Sequence, residues 1–123
     1  IGRRNPVHCT SSGKVLLAHQ SKTVINQYIE RGLERYSPHT ITDPDDFLAA
    51  LQTIRANEYA TSSGEIREGA ASVAAPIRDY TGRVVYAVTV VGPAQRLNVH
   101  SAANISKVKE AAREISGRLG YYK

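Results

Sequence analysis

The chain has 123 residues, which is the size of one domain and enough for one hydrophobic core. Apolar residues make up 41% and charged residues 22%, a balance that excludes a disordered chain; with no Trp and one Phe, the core must come from Val, Ile, Leu and Ala. The net charge is +5, and four of those five positive charges fall in residues 62–123 without forming a basic arm or an aromatic–basic repeat, so they read as a solvated face rather than a nucleic-acid surface.

No apolar run approaches the 18 residues that a membrane span needs, and IGRRNPVHCT lacks the apolar centre of a signal peptide. A lone Cys9 excludes an internal disulfide and any multi-cysteine zinc site, and it fits a reducing, cytoplasmic setting. There is no Met anywhere, position 1 included, so the expectation is a piece of a longer protein.

Residues 3–9, broken by Pro6, are expected to be the tail of an extended segment. Thr10, Ser11 and Ser12 stand before the apolar run Val15-Leu16-Leu17-Ala18, a helix-capping pattern. Ser21 is placed to cap a second helix, with Val24, Ile25, Tyr28 and Ile29 on one face and Gly32 at its end. Thr40-Ile41-Thr42 reads as a short extended piece. Asp43 then caps, Pro44 suits the first helical position, and Asp45 and Asp46 sit at the positive end of the dipole, which predicts a helix over 44–57.

Residues 59–62 read as a short strand that leads into a polar, glycine-punctuated loop from Ser63 to Gly69. Residues 72–78 and 83–91 form an expected antiparallel hairpin around the turn Asp79-Tyr80-Thr81-Gly82. Pro76 argues that the first of these strands lies at an edge or a bulge. The second, with apolar residues on both faces, is expected to be central and covered on both sides. Ala102, Ile105, Val108, Ala112, Ile115 and Leu119 recur at helical spacing, and Gly120 follows as a cap. Four helices against few strands predict a mixed α+β domain that is short of sheet, as a fragment would be.

Among residues able to do chemistry, Ser11, Ser12 and Gly13 open a helix, where amide N–H groups and the dipole suit an anion, although the pattern alone favours ordinary capping. Ser62, Ser63, Glu65, Ser72 and Thr89 are hydroxyl and carboxyl groups that would make a site only if the fold gathers them around that helix start. His8 and Cys9 are adjacent, and on an extended chain they would point to opposite faces. The four histidines lack metal-ligand spacing, and there is no nucleophile elbow or dinucleotide turn. The expectation is therefore no metal, no cofactor and no catalytic residue.

The sequence PVHCTSSGKVLLA at residues 6–18, TITD at 40–43, IRANEYA at 54–60, GAASVAAPIRD at 69–79, GRVVYA at 82–87 and VVGP at 90–93, in that order, resembles the C-terminal effector-binding domain of the IclR family of bacterial transcriptional regulators. The resemblance implies a GAF-like, profilin-like fold with a curved antiparallel sheet flanked by helices, here without its first strands and first helix. It also implies a missing N-terminal winged helix-turn-helix, through which alone operator DNA would be bound, and assembly with copies of itself as a dimer or tetramer. A small organic acid would be the effector, held near Ser11, Ser12 and Gly13, with Ser62, Ser63 and Glu65 from the loop. Ser72, Thr89 and Val91 would face the same cavity, and Leu16, Leu17 and Val73 would form its apolar wall.

Many relatives carry Ala or Gly where this chain has Ser11 and Ser12, and acidic residues where it has Ser62 and Ser63. That difference favours an anionic, polar ligand. The rival readings are an oligomerisation domain with a vestigial pocket, and a small hydrolase using Cys9 or a serine. The second of these lacks a nominated base.

Overall fold

The computed structural model describes residues 7–64, 69–93 and 96–121. A 3-10 turn at Val7–Cys9 leads into α1 (Ser11–Ala18) and α2 (Lys22–Glu30). Then follow α3 (Pro44–Asn57), strands β1 (Ala60–Ser63), β2 (Ala70–Arg78) and β3 (Val84–Pro93), and finally α4 (Ala102–Arg118). The class is α+β, an antiparallel sheet flanked by helices, as the sequence predicts.

Each helix starts where a side chain can take up its orphan amides. Thr10 Oγ1 accepts from Gly13 N–H at 3.1 Å, Ser21 Oγ from Val24 N–H at 3.3 Å, Asp43 Oδ2 from Asp46 N–H at 3.0 Å and Ser101 Oγ from Asn104 N–H at 3.5 Å. Helix α4 ends on Leu119, and Gly120 supplies the left-handed residue beyond it at φ +93°. Helix α3 ends differently: its left-handed terminal residue is Glu58, at φ +65°, anchored by an ion pair to Arg78.

The strand order is β1-β2-β3, so β2 is the central strand. This corrects two expectations. Strand β3 forms an edge among the described residues, with Tyr86, Val90 and Val91 exposed. Burial concentrates instead on β2, whose alanines at 71, 74 and 75 are small enough for helices to approach closely from both faces. Pro76 is tolerated there because β1 pairs only with residues 71–74, so the strand has no β1 neighbour at Pro76. A register irregularity follows one residue later, between Ile77 and Arg78.

The extended tail expected at 7–9 is also corrected. The chain coils there because the His8 ring is held at both nitrogens: Nδ1 lies 2.8 Å from Tyr28 OH and Nε2 2.7 Å from Glu34 O. Residues 40–42 lie outside any strand, and Thr40 Oγ1 instead accepts from Tyr36 and Ser37 N–H.

Two apolar clusters sandwich the sheet. Val15, Leu17, Ala18, Ile25, Phe47, Leu51 and Ile54 pack with Ala60 and Ala74 on the face under α1 and α3. On the other face Val73, Ala75 and Ile77 pack with Val99, Val108 and Ala112 under α4. Phe47, the only Phe, has no exposed surface and meets the His8 ring edge-on.

Candidate functional site

Strand alternation decides which side chains can meet the start of α1. Ser72 shares a face with Ala74, which lies in the cluster under α1, and its direct partners across the ladders are Ser62 on β1 and Val91 on β3. Thr89, opposite Ala74, falls on the same face. Ser11 is the first residue of α1, is 1% exposed, and its Oγ lies 2.6 Å from Ser72 Oγ. Ser62 Oγ donates to Cys9 O at 3.2 Å. The fold therefore gathers Ser11, Ser62, Ser72, Thr89 and Val91, drawn from four elements, on one side of the sheet.

Three expected members sit elsewhere. Val73 is fully buried on the opposite face under α4, so it cannot share a wall with Leu16. Ser63 pairs with Ala71, on that same opposite face, and is exposed. Leu17 belongs to the core cluster with Ile25 and Phe47, while Leu16 is half-buried on the side of α1 that carries Ser12. Adjacent residues on a strand or a helix point in different directions, and grouping 62 with 63, 72 with 73 and 16 with 17 overlooks this. Glu65 lies outside the described residues.

The helix start is partly committed. Gly13 N–H is spent on the Thr10 cap, which leaves the first amides of the helix, those of Ser11 and Ser12, without an intrahelical acceptor. Ser12 and Gly13 are half-buried, and the edge of this face opens to solvent at Val91.

Sequence reasoning missed Lys14. Its side chain lies one turn beyond Ser11 on the same flank of α1, is 4% exposed, and its Nζ donates to Thr61 O at 2.6 Å, beside Ser62. The available signal was a single charge directly before the apolar run Val15-Leu16-Leu17-Ala18. Ser11, Ser12, Ser62, Ser72 and Thr89 all carry hydroxyls and none is charged, so these side chains offer neutral donors and acceptors.

His8 and Cys9 are both buried. The Glu34 carbonyl can only accept, so His8 Nε2–H donates to it and Nδ1 accepts from Tyr28 OH, which uses both nitrogens. Cys9 is fully buried, where a thiol is protected from reaction. Among the described residues no group of three His, Cys, Asp or Glu side chains could hold a metal ion. No described helix is long and apolar enough to cross a membrane.

Residues 1–117 match the family described as "Bacterial transcriptional regulator IclR C-terminal". The chain is 34% identical over 125 residues to the HTH-type transcriptional regulator KdgR of Escherichia coli, covering 99% of this chain and 47% of that protein. It is 36% identical over 98 residues to the p-hydroxybenzoate hydroxylase transcriptional activator of Acinetobacter baylyi, covering 79% of this chain and 36% of the relative. The chain thus spans less than half the length of these relatives, both named as regulators.

Solved structures agree. The C-terminal domain of E. coli KdgR superposes with a TM-score of 0.86 at 32% identity, covering 98% of this chain and 75% of that one. The inducer-binding domain of the PobR transcription factor from Acinetobacter, a double mutant in complex with 3-hydroxybenzoic acid, gives 0.85 at 32% identity, covering 98% and 71%.

Proposed function

The chain belongs to the family of C-terminal domains of IclR-type bacterial transcriptional regulators, and from that premise we propose that it is the small-molecule sensor of such a regulator, acting in the cytoplasm and taking a small organic carboxylate as effector. One observation carries the reading: Ser11 at the start of α1 touches Ser72 on the central strand, on the face that also holds Ser62, Thr89 and Val91. A ligand carboxylate there would accept from the Ser11 and Ser12 amides and from the clustered hydroxyls. That PobR carries 3-hydroxybenzoic acid supports an aromatic or aliphatic hydroxy acid as the class.

Operator DNA would be contacted by a region outside this chain, with copies of the domain associating with one another. Effector binding would then shift the balance between assemblies, through different affinities for each.

The test is a thermal-shift panel of small carboxylates, 3-hydroxybenzoate among them, on the protein and on Ser72→Val. A ligand at one hundred times its Kd adds about 2.7 kcal/mol to stability, which is readily seen as a rise in Tm. The expected outcome is a rise for at least one acid that Ser72→Val abolishes. No rise with any acid of the panel counts against the sensor reading.

A further inference from the structure

A cleft of about 220 Å³ lies between the C-terminal half of α4 and the end of β2, and it shares no residue with the hydroxyl face. Ala75, Pro76 and Ala112 give it an apolar lining, and Tyr121 adds an aromatic wall. Arg78, Lys109 and Arg113 also line it, against a single carboxylate, Glu58.

These four charges differ in how far they are already committed. Arg78 Nη2 donates to Glu58 Oε2 at 2.6 Å and its Nη1 to Gly82 O at 3.0 Å, so this pair satisfies itself. Lys109 Nζ donates to Asn57 O at 3.1 Å and stands 5.8 Å from the centre of the Tyr59 ring, and it has no carboxylate partner among the described residues. An ammonium has three donors, so two remain. Arg113 is exposed and forms no ion pair among the described residues. Lys109 and Arg113 are four residues apart on α4, hence neighbours on one helix face. Two positive charges that form no ion pair among the described residues therefore border one recess with an apolar lining.

The volume falls below the ~300 Å³ at which drug-sized ligand sites begin, and equals the space of roughly seven water molecules. A bare ion would leave the apolar lining unused, and an apolar molecule would leave both cations unanswered. A dianionic head bridging adjacent turns of α4, with a short apolar body, satisfies both. We propose that this cleft is a second ligand site, selective for a small phosphate monoester, with phosphoryl oxygens on Lys109 and Arg113 and the organic body over Ala75, Pro76 and Ala112.

Phenyl phosphate titrated into 15N-labelled protein tests this. Saturable amide shifts are expected at Ala75, Arg78, Ala112, Arg113 and Ser116, with Ser11, Ser72 and Thr89 unmoved. The double variant K109Q/R113Q, altering side chains at the rim, should keep the Tm and weaken binding at least tenfold, and inorganic phosphate should bind more weakly than phenyl phosphate. No saturable shift, shifts confined to the Ser11 face, or undiminished binding by the double variant would overturn the site. Equal binding of inorganic phosphate would overturn the role given to the apolar lining. The carboxylate reading of the hydroxyl face stands or falls separately, because the two sets of amides do not overlap.

Discussion

Ser11 and Ser72 are 61 residues apart in the chain, yet their side-chain oxygens lie 2.6 Å apart and tie the first turn of α1 to the middle strand. Ser11 is almost wholly buried, so the bond shields a polar group that would otherwise be desolvated for nothing. Removing one hydroxyl strands the other. Ser11→Ala and Ser72→Ala should each cost about 1–2 kcal/mol in urea unfolding. The double variant should cost less than the sum by at least ~0.5 kcal/mol, since one interaction is lost once. Strict additivity would mean that the two hydroxyls do not interact in solution.

Val73 and Val91 test which strand carries the core. Val73 has no exposed surface and packs under α4, whereas Val91 on β3 is 71% exposed. Val73→Ala should destabilise by about 2 kcal/mol, and Val91→Ala should stay within ~0.5 kcal/mol. Equal costs measured by chemical denaturation would restore β3 to the interior.

That contrast shows where the sequence is legible. Caps are local chemistry, so Thr10, Ser21, Asp43 and the turn at 79–82 announce themselves, as does the helical spacing from Ala102 to Leu119. Strand order is not local. The five valines of β3 advertise burial more loudly than the alanines of β2, but the alanines let α1 and α4 close on the sheet. The resemblance nominates positions at the helix start and on β2 and β3, and the fold brings Ser11, Ser72, Thr89 and Val91 to one side of the sheet. It left side-chain direction open, and so Val73 and Ser63 were grouped with neighbours that face the other way. Lys14 escaped because burial of a cation depends on groups far along the chain, Thr61 O among them at 47 residues' distance.

Lys14 yields a prediction with two readouts. Lys14→Met keeps the stem that fills the space beneath α1 but removes the donor to Thr61 O, so stability should fall by about 1–3 kcal/mol. If the ammonium also favours an anionic effector, Lys14→Met should reduce the Tm rise given by a carboxylate and leave unchanged that given by the matching neutral amide. A variant whose carboxylate response equals that of the parent protein would confine Lys14 to a structural role.

Glu58 contributes to the acid limb of stability. Partial burial pushes its carboxyl up, but the hydrogen bond and charge of Arg78, with smaller help from His19, outweigh burial and hold it below its ordinary value of 4.5. A carboxyl whose folded pKa is depressed stabilises the fold when ionised. Its contribution is complete above pH 4.5 and is lost as pH falls through the lower folded value. The side chain is 41% exposed, so solvent screening keeps the effect small, at most about 1 kcal/mol. Glu58→Gln should therefore be less stable than the parent protein at neutral pH, and the gap should narrow as the solution is acidified below 4.5. Urea midpoints for both proteins at a series of pH values measure this directly. A gap that widens on acidification would mean that the Arg78 ion pair does not stabilise the C-terminal end of α3.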